Sequence, residues 1–168
     1  MLILSILRHA KSSWDDEGLA DFERPLATRG REAAPRMGRH LRDIGLQPDL
    51  VLCSSAVRAR ETARLVGLSS PIAYERELYA ASASELLERL HRIPRGTRSV
   101  LLIGHNPGLH ELALQLIGGM PPPEHARLAD KLPTTALLVL ALDGTDWGRI
   151  RPAGARVVHY VTPRDLTD

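Results

Sequence analysis

An arginine and a histidine, Arg8 and His9, follow an apolar run over residues 1–7. Such a run is typical of a buried strand, and its carboxyl end lies at the edge of a sheet where open α/β proteins bind their ligands. A guanidinium carries a permanent charge in a geometry that suits phosphate oxygens, and an unprotonated imidazole is a nucleophile. The pair therefore predicts a phosphate-binding site that contains a nucleophile.

Two further segments carry groups of the same kind at the ends of predicted strands. Residues 54–58 follow the second apolar run and place Arg58 in the first turn of a predicted helix. Residues 104–108 follow a later run and place His105 at the start of another helix. The free N–H groups and the dipole at a helix N-terminus favour anions. We expect Arg8, His9, Arg58 and His105 to meet at one edge of the sheet, around a phosphoryl group.

Short apolar runs alternate with amphipathic stretches of helical length along the chain. This pattern predicts an α/β fold, a three-layer α/β/α sandwich with a mostly parallel central sheet. We predict strands at residues 2–7, 50–53, 72–74, 100–103 and 136–142, and a last pair near residues 147–151 and 156–161 that adds a hairpin or an edge.

Four helices are predicted from apolar residues spaced three and four apart. The first runs from Thr28 towards Gly45, and the second begins near Ser55. The third opens with a serine and a glutamate at the spacing of a capping box, residues 82 and 85. For the fourth we predict Asn106 as the N-cap, Pro107 in the first turn and an end at residues 118–119.

Length and composition favour an ordinary globular domain. The chain has 168 residues, of which 43% are hydrophobic and 25% charged, and we expect one domain over residues 1–168. The net charge of +2 is too small to predict nucleic-acid binding. A single cysteine excludes an internal disulfide, and no run reaches the length of a membrane span, so we expect no membrane partner and a cytoplasmic location. The oligomeric state cannot be read from the sequence.

The motifs resemble those of the histidine phosphatase superfamily, and specifically its small SixA-type phosphohistidine phosphatases. They occur in the order of that family over nearly the whole chain. In this chain Ala10 stands where many members have glycine, and Ser55-Ala56 stands for the usual Ser-Pro. The matching segments are residues 7–11 (LRHAK), 24–30 (RPLATRG), 53–63 (CSSAVRARETA), 104–107 (GHNP) and 133–136 (PTTA).

The resemblance implies a phosphoglycerate-mutase-like fold and a histidine phosphatase domain without a cap domain. It implies catalysis through a phosphohistidine formed on His9, with Arg8, Arg58 and His105 binding the phosphoryl oxygens. These cations stabilise the charge that Mg²⁺ stabilises in other phosphoryl-transfer enzymes, so we expect neither a metal nor a cofactor.

The general acid is the least determined part of the site. Glu77 follows the short third strand, at a position where the superfamily often keeps an acid, and we name it as the candidate. Its alternative role is that of an exposed loop carboxylate. Three acids close to the nucleophile, Asp15, Asp16 and Glu17, are weaker candidates.

Segment lengths favour an open site. Only 46 residues separate Arg58 from His105, and the stretch over residues 12–24 is also short, so there is little length for a cap. A shallow pocket admits a phosphorylated side chain of another protein, whereas a small metabolite is usually held in a deeper cavity. We therefore expect a phosphorylated protein, carrying phosphohistidine, as the substrate. A phosphomonoesterase or mutase acting on a small phosphorylated molecule is the alternative.

Other classes of function fit less well. A cysteine phosphatase would have five residues between cysteine and arginine, whereas four separate Cys53 from Arg58. A phosphate-binding module without catalysis would not need His9, and the arginine-rich helix over residues 29–42 lacks the interleaved aromatics of a nucleic-acid site. The seven histidines lack the paired short spacing of helical metal ligands: His9, His40, His91, His105, His110, His125 and His159.

Overall fold

The fold is built on a six-stranded sheet, seen in a computed structural model that describes residues 1–166. The strand order is β3-β2-β4-β1-β5-β6. Only β5 runs against its neighbours, so the predicted mostly parallel sheet is confirmed. The strands are β1 (Leu2–Arg8), β2 (Leu50–Ser54), β3 (Ile72–Glu75), β4 (Ser99–Gly104), β5 (Leu137–Leu142) and β6 (Ala155–Val161).

Helices cover both faces of the sheet. The helices are α1 (Thr28–Asp43), α2 (Val57–Val66), α3 (Ala83–His91), α4 (Gly108–Leu116) and α5 (Arg127–Asp130), and short 3-10 turns include Asp21–Glu23, Arg76–Leu78 and Trp147–Arg149. Buried residues of α1 and α2 pack on one face, and those of α3 and α4 pack on the other. Within residues 1–166, no helix combines the length and the apolar character that crossing a membrane requires.

Alternation along the strands creates the two cores. In β4, Val100 and Leu102 face the core under α3 and α4, whereas Leu101 and Ile103 face the core under α1 and α2. Successive side chains of a strand point to opposite faces, so a strand covered on both sides must be apolar throughout. This explains why the strands of this chain read as continuous apolar runs.

The register brings three strand ends together. Arg8 is opposite Gly104 in the β1–β4 pair, and Cys53 is opposite Ile103 in the β2–β4 pair. The residues that follow β1, β4 and β2 therefore lie side by side at one edge of the sheet. This is the edge at which the sequence places Arg8, His9, Arg58 and His105.

Several predicted helix ends are confirmed. Ser82 and Glu85 form the predicted capping box at the start of α3. The chain leaves α1 through Gly45 with a φ of 69°, and Gly118 and Gly119 follow α4 with φ values of 84° and 96°. These left-handed values suit glycine, which has no Cβ to clash.

Two local predictions are wrong. Asn106 does not cap α4, because its side-chain amide donates to the carbonyl of Leu132 and the helix begins at Gly108. Residues 147–151 do not form a strand: a 3-10 turn begins at Trp147, stabilised by a hydrogen bond from the N–H of Gly148 to the carboxylate of Asp146. The edge hairpin is made by β5 and β6 instead, and the short helix α5 was not predicted.

Helix α1 begins directly against the backbone that follows His9. A Cβ placed on Gly30 would lie 2.2 Å from the carbonyl oxygen of Lys11. The same oxygen accepts a hydrogen bond of 2.8 Å from the N–H of Ala27. Only glycine permits this approach, so Gly30 helps to set the position of the segment that carries the histidine.

We expect Gly30→Ala to lower the free energy of unfolding by about 1–3 kcal/mol, as overpacking does, although alanine is the better helix former. The oxygen of Lys11 belongs to the backbone and cannot rotate away. Urea denaturation followed by circular dichroism measures the change. Gly18→Ala is the control, because its Cβ would meet only the end of the Asp16 side chain, at 3.2 Å. Equal stabilities of the two variants would contradict the steric argument.

Candidate active site

The four cationic and imidazole groups predicted from the strand ends form one cluster. The ring centroids of His9 and His105 are 5.1 Å apart. Nε of Arg58 lies 3.4 Å from Nε2 of His9. His9, Arg58 and His105 are buried, with 6%, 6% and 8% of their surface exposed, and Arg8 is half-buried. The structure thus brings together side chains that are almost a hundred residues apart in the chain.

The ring of His9 has a defined tautomer. Its Nδ1 lies 2.7 Å from the carbonyl oxygen of Ala10, and because a carbonyl only accepts, Nδ1 carries the proton. The lone pair is therefore on Nε2, the atom that faces Arg58. Burial is the main cause that lowers the pKa of His9 from 6.5 to about 3, and the nearby His105, Arg58 and Arg8 contribute to the same shift. At neutral pH the ring is an unprotonated nucleophile.

Backbone bonds hold the segment that carries His9. The N–H of His9 donates to the carbonyl of Gly104 at 3.1 Å, and the N–H of Ala10 donates to Oγ1 of Thr62 at 2.9 Å. The N–H of Thr135 is shared between the carbonyls of Arg8 and His9, at 3.0 and 3.2 Å. Buried Thr135 adopts a φ of 62°, a region rare for a residue with a branched Cβ. The PTTA segment before β5 thus holds the backbone at His9.

His105 pairs with the end of β2. Its Nε2 lies 2.7 Å from Oγ of Ser54. Its Nδ1 is buried and has no hydrogen-bond partner within residues 1–166. Burial and the neighbouring Arg58 lower the pKa of His105 to about 4. This ring is therefore neutral at pH 7 and keeps one nitrogen that a ligand could satisfy.

Both terminal nitrogens of the Arg58 guanidinium bind Asp21. Nη1 donates to the carbonyl of Asp21 at 2.6 Å, and Nη2 donates to the Asp21 carboxylate at 2.9 Å. The carbonyl of Arg58 accepts a hydrogen bond from Thr62, the same hydroxyl that accepts from Ala10. Helix α2 and the segment after β1 are therefore fixed relative to each other.

Arg8 has donor capacity left. Its Nη1 donates to the carbonyl of Leu132 at 3.2 Å, whereas its buried Nε has no partner in the described part of the chain. Burial and the positive charge of Arg58 lower the pKa of Arg8. A buried donor without a partner costs free energy, and an anion at this position would remove that cost.

Asp21 is the site residue that sequence reasoning missed. Its carboxylate accepts hydrogen bonds from Tyr79 at 2.5 Å, from Arg24 at 3.0 Å and from Arg58. These bonds hold the pKa of the Asp21 carboxyl well below its usual range, with Tyr79 as the largest cause. The one sequence signal for Asp21 is its place three residues before Arg24-Pro25. Its pairing with Arg58 arises because the turn Asp21–Glu23 packs against α2, and local spacing does not show this contact.

The other predicted acids lie outside the cluster. The carboxylate of Glu77 is paired with Arg92, which directly follows α3, at 2.9 Å, and lies 3.6 Å from Arg89 on α3. No contact joins it to His9 or Arg58 among the residues described. Asp15 and Asp16 are exposed and make only local turn contacts, and Glu17 is exposed.

The rival thiol chemistry has little support from the geometry. Cys53 is fully buried in the core under α1 and α2, and burial raises its pKa to about 12. A thiol of this kind is not a thiolate at neutral pH. Among residues 1–166, no group of three or more His, Cys, Asp or Glu side chains is arranged to hold a metal ion.

The cluster can do one kind of chemistry well. An unprotonated Nε2 lies beside two guanidiniums and a second imidazole, and phosphoryl transfer needs an in-line nucleophile and positive charge around the equatorial oxygens. The three groups that surround Nε2 are of the types that bind such oxygens.

Sequence comparison places the chain among histidine phosphatases. The family model described as histidine phosphatase superfamily (branch 1) matches residues 4–79. An uncharacterized protein of Mycobacterium tuberculosis is 37% identical over 160 residues, which cover 94% of this chain and 100% of that protein.

Solved structures give the same result. A protein from Nakamurella multipartitia assigned as the phosphohistidine phosphatase SixA is 27% identical, with a TM-score of 0.85 and 96% of each chain covered. A protein from Agrobacterium tumefaciens with the same assignment is 29% identical, with a TM-score of 0.81, over 96% of this chain and 99% of that one. The predicted phosphoglycerate-mutase-like fold is confirmed.

The lowered pKa of His9 makes stability depend on pH. As the pH falls from 7 to 5, the unfolded chain takes up a proton at His9, whereas the folded chain, with a pKa of about 3, does not. The free energy of unfolding therefore decreases towards acid pH, and His9→Gln should remove about 2 kcal/mol of this decrease. Urea denaturation of both proteins at pH 7 and pH 5 measures the difference. The same pH dependence in both would show that the folded ring titrates normally.

Proposed function

The chain belongs to the histidine phosphatase superfamily, in its SixA-type branch, and we propose that it hydrolyses phosphohistidine on a protein through a phosphohistidine intermediate on His9. One observation carries the choice of substrate. The carboxylate that binds Arg58 beside His9, Asp21, is kept ionised by Tyr79, Arg24 and Arg58. A site with this charge state suits a leaving group that needs no carboxylic acid.

In the first step, Nε2 of His9 attacks phosphorus and forms a P–N bond. The P–N bond of the substrate breaks, and its electron pair returns to the substrate imidazole. That imidazole leaves as a neutral ring once solvent has protonated its second nitrogen. The unprotonated Nε2 and the hydrogen bond of Nδ1 to Ala10 support His9 in this role, because the protonated Nδ1 allows the ring to carry the positive charge that develops.

Charge on the transferring group is stabilised by Arg8, Arg58 and His105. Within the cluster, Arg8 Nε and His105 Nδ1 are buried and have no partner among residues 1–166, and a phosphoryl oxygen would satisfy both. Each charge-assisted hydrogen bond is worth about 1.5–3 kcal/mol. With this positive charge supplied by the chain, we propose that the reaction needs no metal.

In the second step, water attacks the phosphohistidine. The P–Nε2 bond breaks, the electron pair returns to Nε2, inorganic phosphate is released, and the water proton passes to solvent. His9 is restored as the neutral tautomer that the Ala10 carbonyl favours.

An alcohol phosphate is a poorer substrate for this arrangement. Alkoxide leaving groups need a proton from a positioned acid in the transition state. Glu77, the acid expected from the resemblance, is paired with Arg92 directly after α3, and Asp21 is ionised. A phosphoramidate avoids this requirement, since its nitrogen is protonated from solvent.

The surroundings of the cluster favour a phosphorylated side chain over a buried metabolite. Between α2 and β4 the chain forms only β3, the 3-10 turn Arg76–Leu78 and α3. No added domain covers the site within residues 1–166. We propose one histidine phosphatase domain whose pocket opens directly to a protein substrate.

The central test compares a histidine-phosphorylated protein with a panel of phosphomonoesters, using wild type and His9→Ala. We expect wild type to release phosphate from the phosphohistidine at least about tenfold faster than from any ester, given the missing acid. Quenched reactions with ³²P-labelled substrate should contain a labelled enzyme that acid destroys. His9→Ala should give neither phosphate nor label.

Four results would contradict this proposal. An acid-stable label, or a label on His9→Ala, would point to another nucleophile. Faster turnover of a small ester would favour the metabolite phosphatase or mutase. Loss of wild-type activity in a chelator, restored by a divalent ion, would contradict metal independence.

Asp21 is expected to position Arg58. Asp21→Ala removes the carboxylate that binds Nη2 of Arg58, and we expect kcat to fall about 10- to 100-fold with a smaller change in KM, because a misplaced guanidinium chiefly weakens transition-state binding. Steady-state kinetics measure both constants. Glu23→Ala is the matched control, an exposed acid in the same turn. Equal kinetic constants for the two variants would show that Asp21 does not position Arg58 for catalysis.

A further inference from the structure

A positively charged cleft opens beside Arg8. Its volume is about 520 Å³, and Arg8 belongs both to its wall and to the cluster around His9. Four more cations line it from separate segments: Lys11 after β1, Arg29 on α1, Lys131 after α5 and Arg164 after β6. The mechanism proposed above uses none of these four.

The four cations are available for a ligand. Lys11, Arg29, Lys131 and Arg164 are exposed, and none has a side-chain hydrogen bond or ion pair within residues 1–166. The remaining cation in the wall, Arg127, already binds the Asp165 carboxylate at 3.1 Å. Among residues 1–166, Asp130 is the one acid that lines the cleft. The wall therefore has a clear excess of uncompensated positive charge.

We propose that this cleft binds acidic side chains that flank the phosphohistidine of the protein substrate. The inference rests on the proposed function and adds a preference for sequence context. Cations that arrive from four separate segments suit several carboxylates along an extended peptide, with Arg8 at the end where the phosphoryl group lies. Opposite charges across such a surface guide encounter and fix the register of the partner.

A nucleic acid fits the cleft less well. Single strands are bound by stacking bases on aromatic rings along a basic groove. Tyr160 is the aromatic side chain of this wall, and only 7% of it is exposed. The cleft offers charge without a stacking surface, which favours carboxylates.

The experiment uses two phosphohistidine peptides, one with glutamates on one side of the phosphohistidine and one with glutamines at the same places. Free phosphohistidine serves as a third substrate. For wild type at low ionic strength, we expect kcat/KM for the acidic peptide to exceed that for the glutamine peptide about tenfold, and this ratio should decrease as salt screens the charges. The double variant Lys131→Glu/Arg164→Glu should lose the preference.

The matched control is Arg39→Glu/Arg156→Glu, which makes the same change in net charge. Both arginines are exposed and lie outside the cleft, and Arg156 is near the start of β6, at the opposite edge of the sheet. This variant should keep the preference of the wild type. A loss of the preference in both double variants would show a general effect of net charge and would overturn the proposal that the cleft binds acidic side chains.

The two proposals fail differently. Turnover of all three substrates by wild type, without preference for the acidic peptide, would overturn the proposal that the cleft binds acidic side chains. It would not contradict the proposed phosphatase activity. No turnover of any of them would overturn the proposed function itself and the cleft proposal with it. Binding of a single-stranded oligonucleotide that Lys131→Glu/Arg164→Glu abolishes, together with unchanged peptide kinetics, would assign the cleft to nucleic acid instead.

Discussion

The hydrogen bond from Nδ1 of His9 to the carbonyl of Ala10 is the interaction on which the site depends. It fixes the tautomer, the plane of the ring and the direction of the lone pair on Nε2. The backbone that offers this carbonyl is itself held by Thr62, Thr135 and Gly104, each from a different element. The packed sheet and helices thus serve to keep one nitrogen unprotonated and aimed at one place.

Positive charge surrounds that nitrogen, and its balance explains the other features of the site. Arg8 and Arg58 lie in a buried region, where neighbouring imidazoles stay neutral because a further charge would be repelled and poorly solvated. Asp21 offsets part of the charge from the solvent side and holds Arg58 in position. The site without ligand keeps an excess of positive charge, and this charge favours the binding of a phosphate dianion.

The strand ends explain why much of the site could be predicted. Parallel strands deliver the residues after their carboxyl ends to one edge, so the positions of Arg8, His9, Arg58 and His105 follow from apolar runs alone. The partners of the acidic and amide side chains do not follow from these runs. Glu77 pairs with Arg92 directly after α3. Asp21 binds Arg58 from a turn that has no periodic sequence pattern, and the side-chain amide of Asn106 donates to the carbonyl of Leu132. Each outcome depends on which surfaces meet in three dimensions, information that local spacing does not contain.

Arg24 anchors both ends of the segment that leads from His9 to Asp21. Its guanidinium donates to the Ser13 carbonyl, the Ser12 hydroxyl and the Asp21 carboxylate, while exposed Trp14 stacks against it at 3.2 Å. The stretch between these anchors can therefore vary in composition and length while Asp21 keeps its place beside α2. Substitutions in this stretch would therefore change the surface beside the site without removing the hydrogen bonds that hold Asp21.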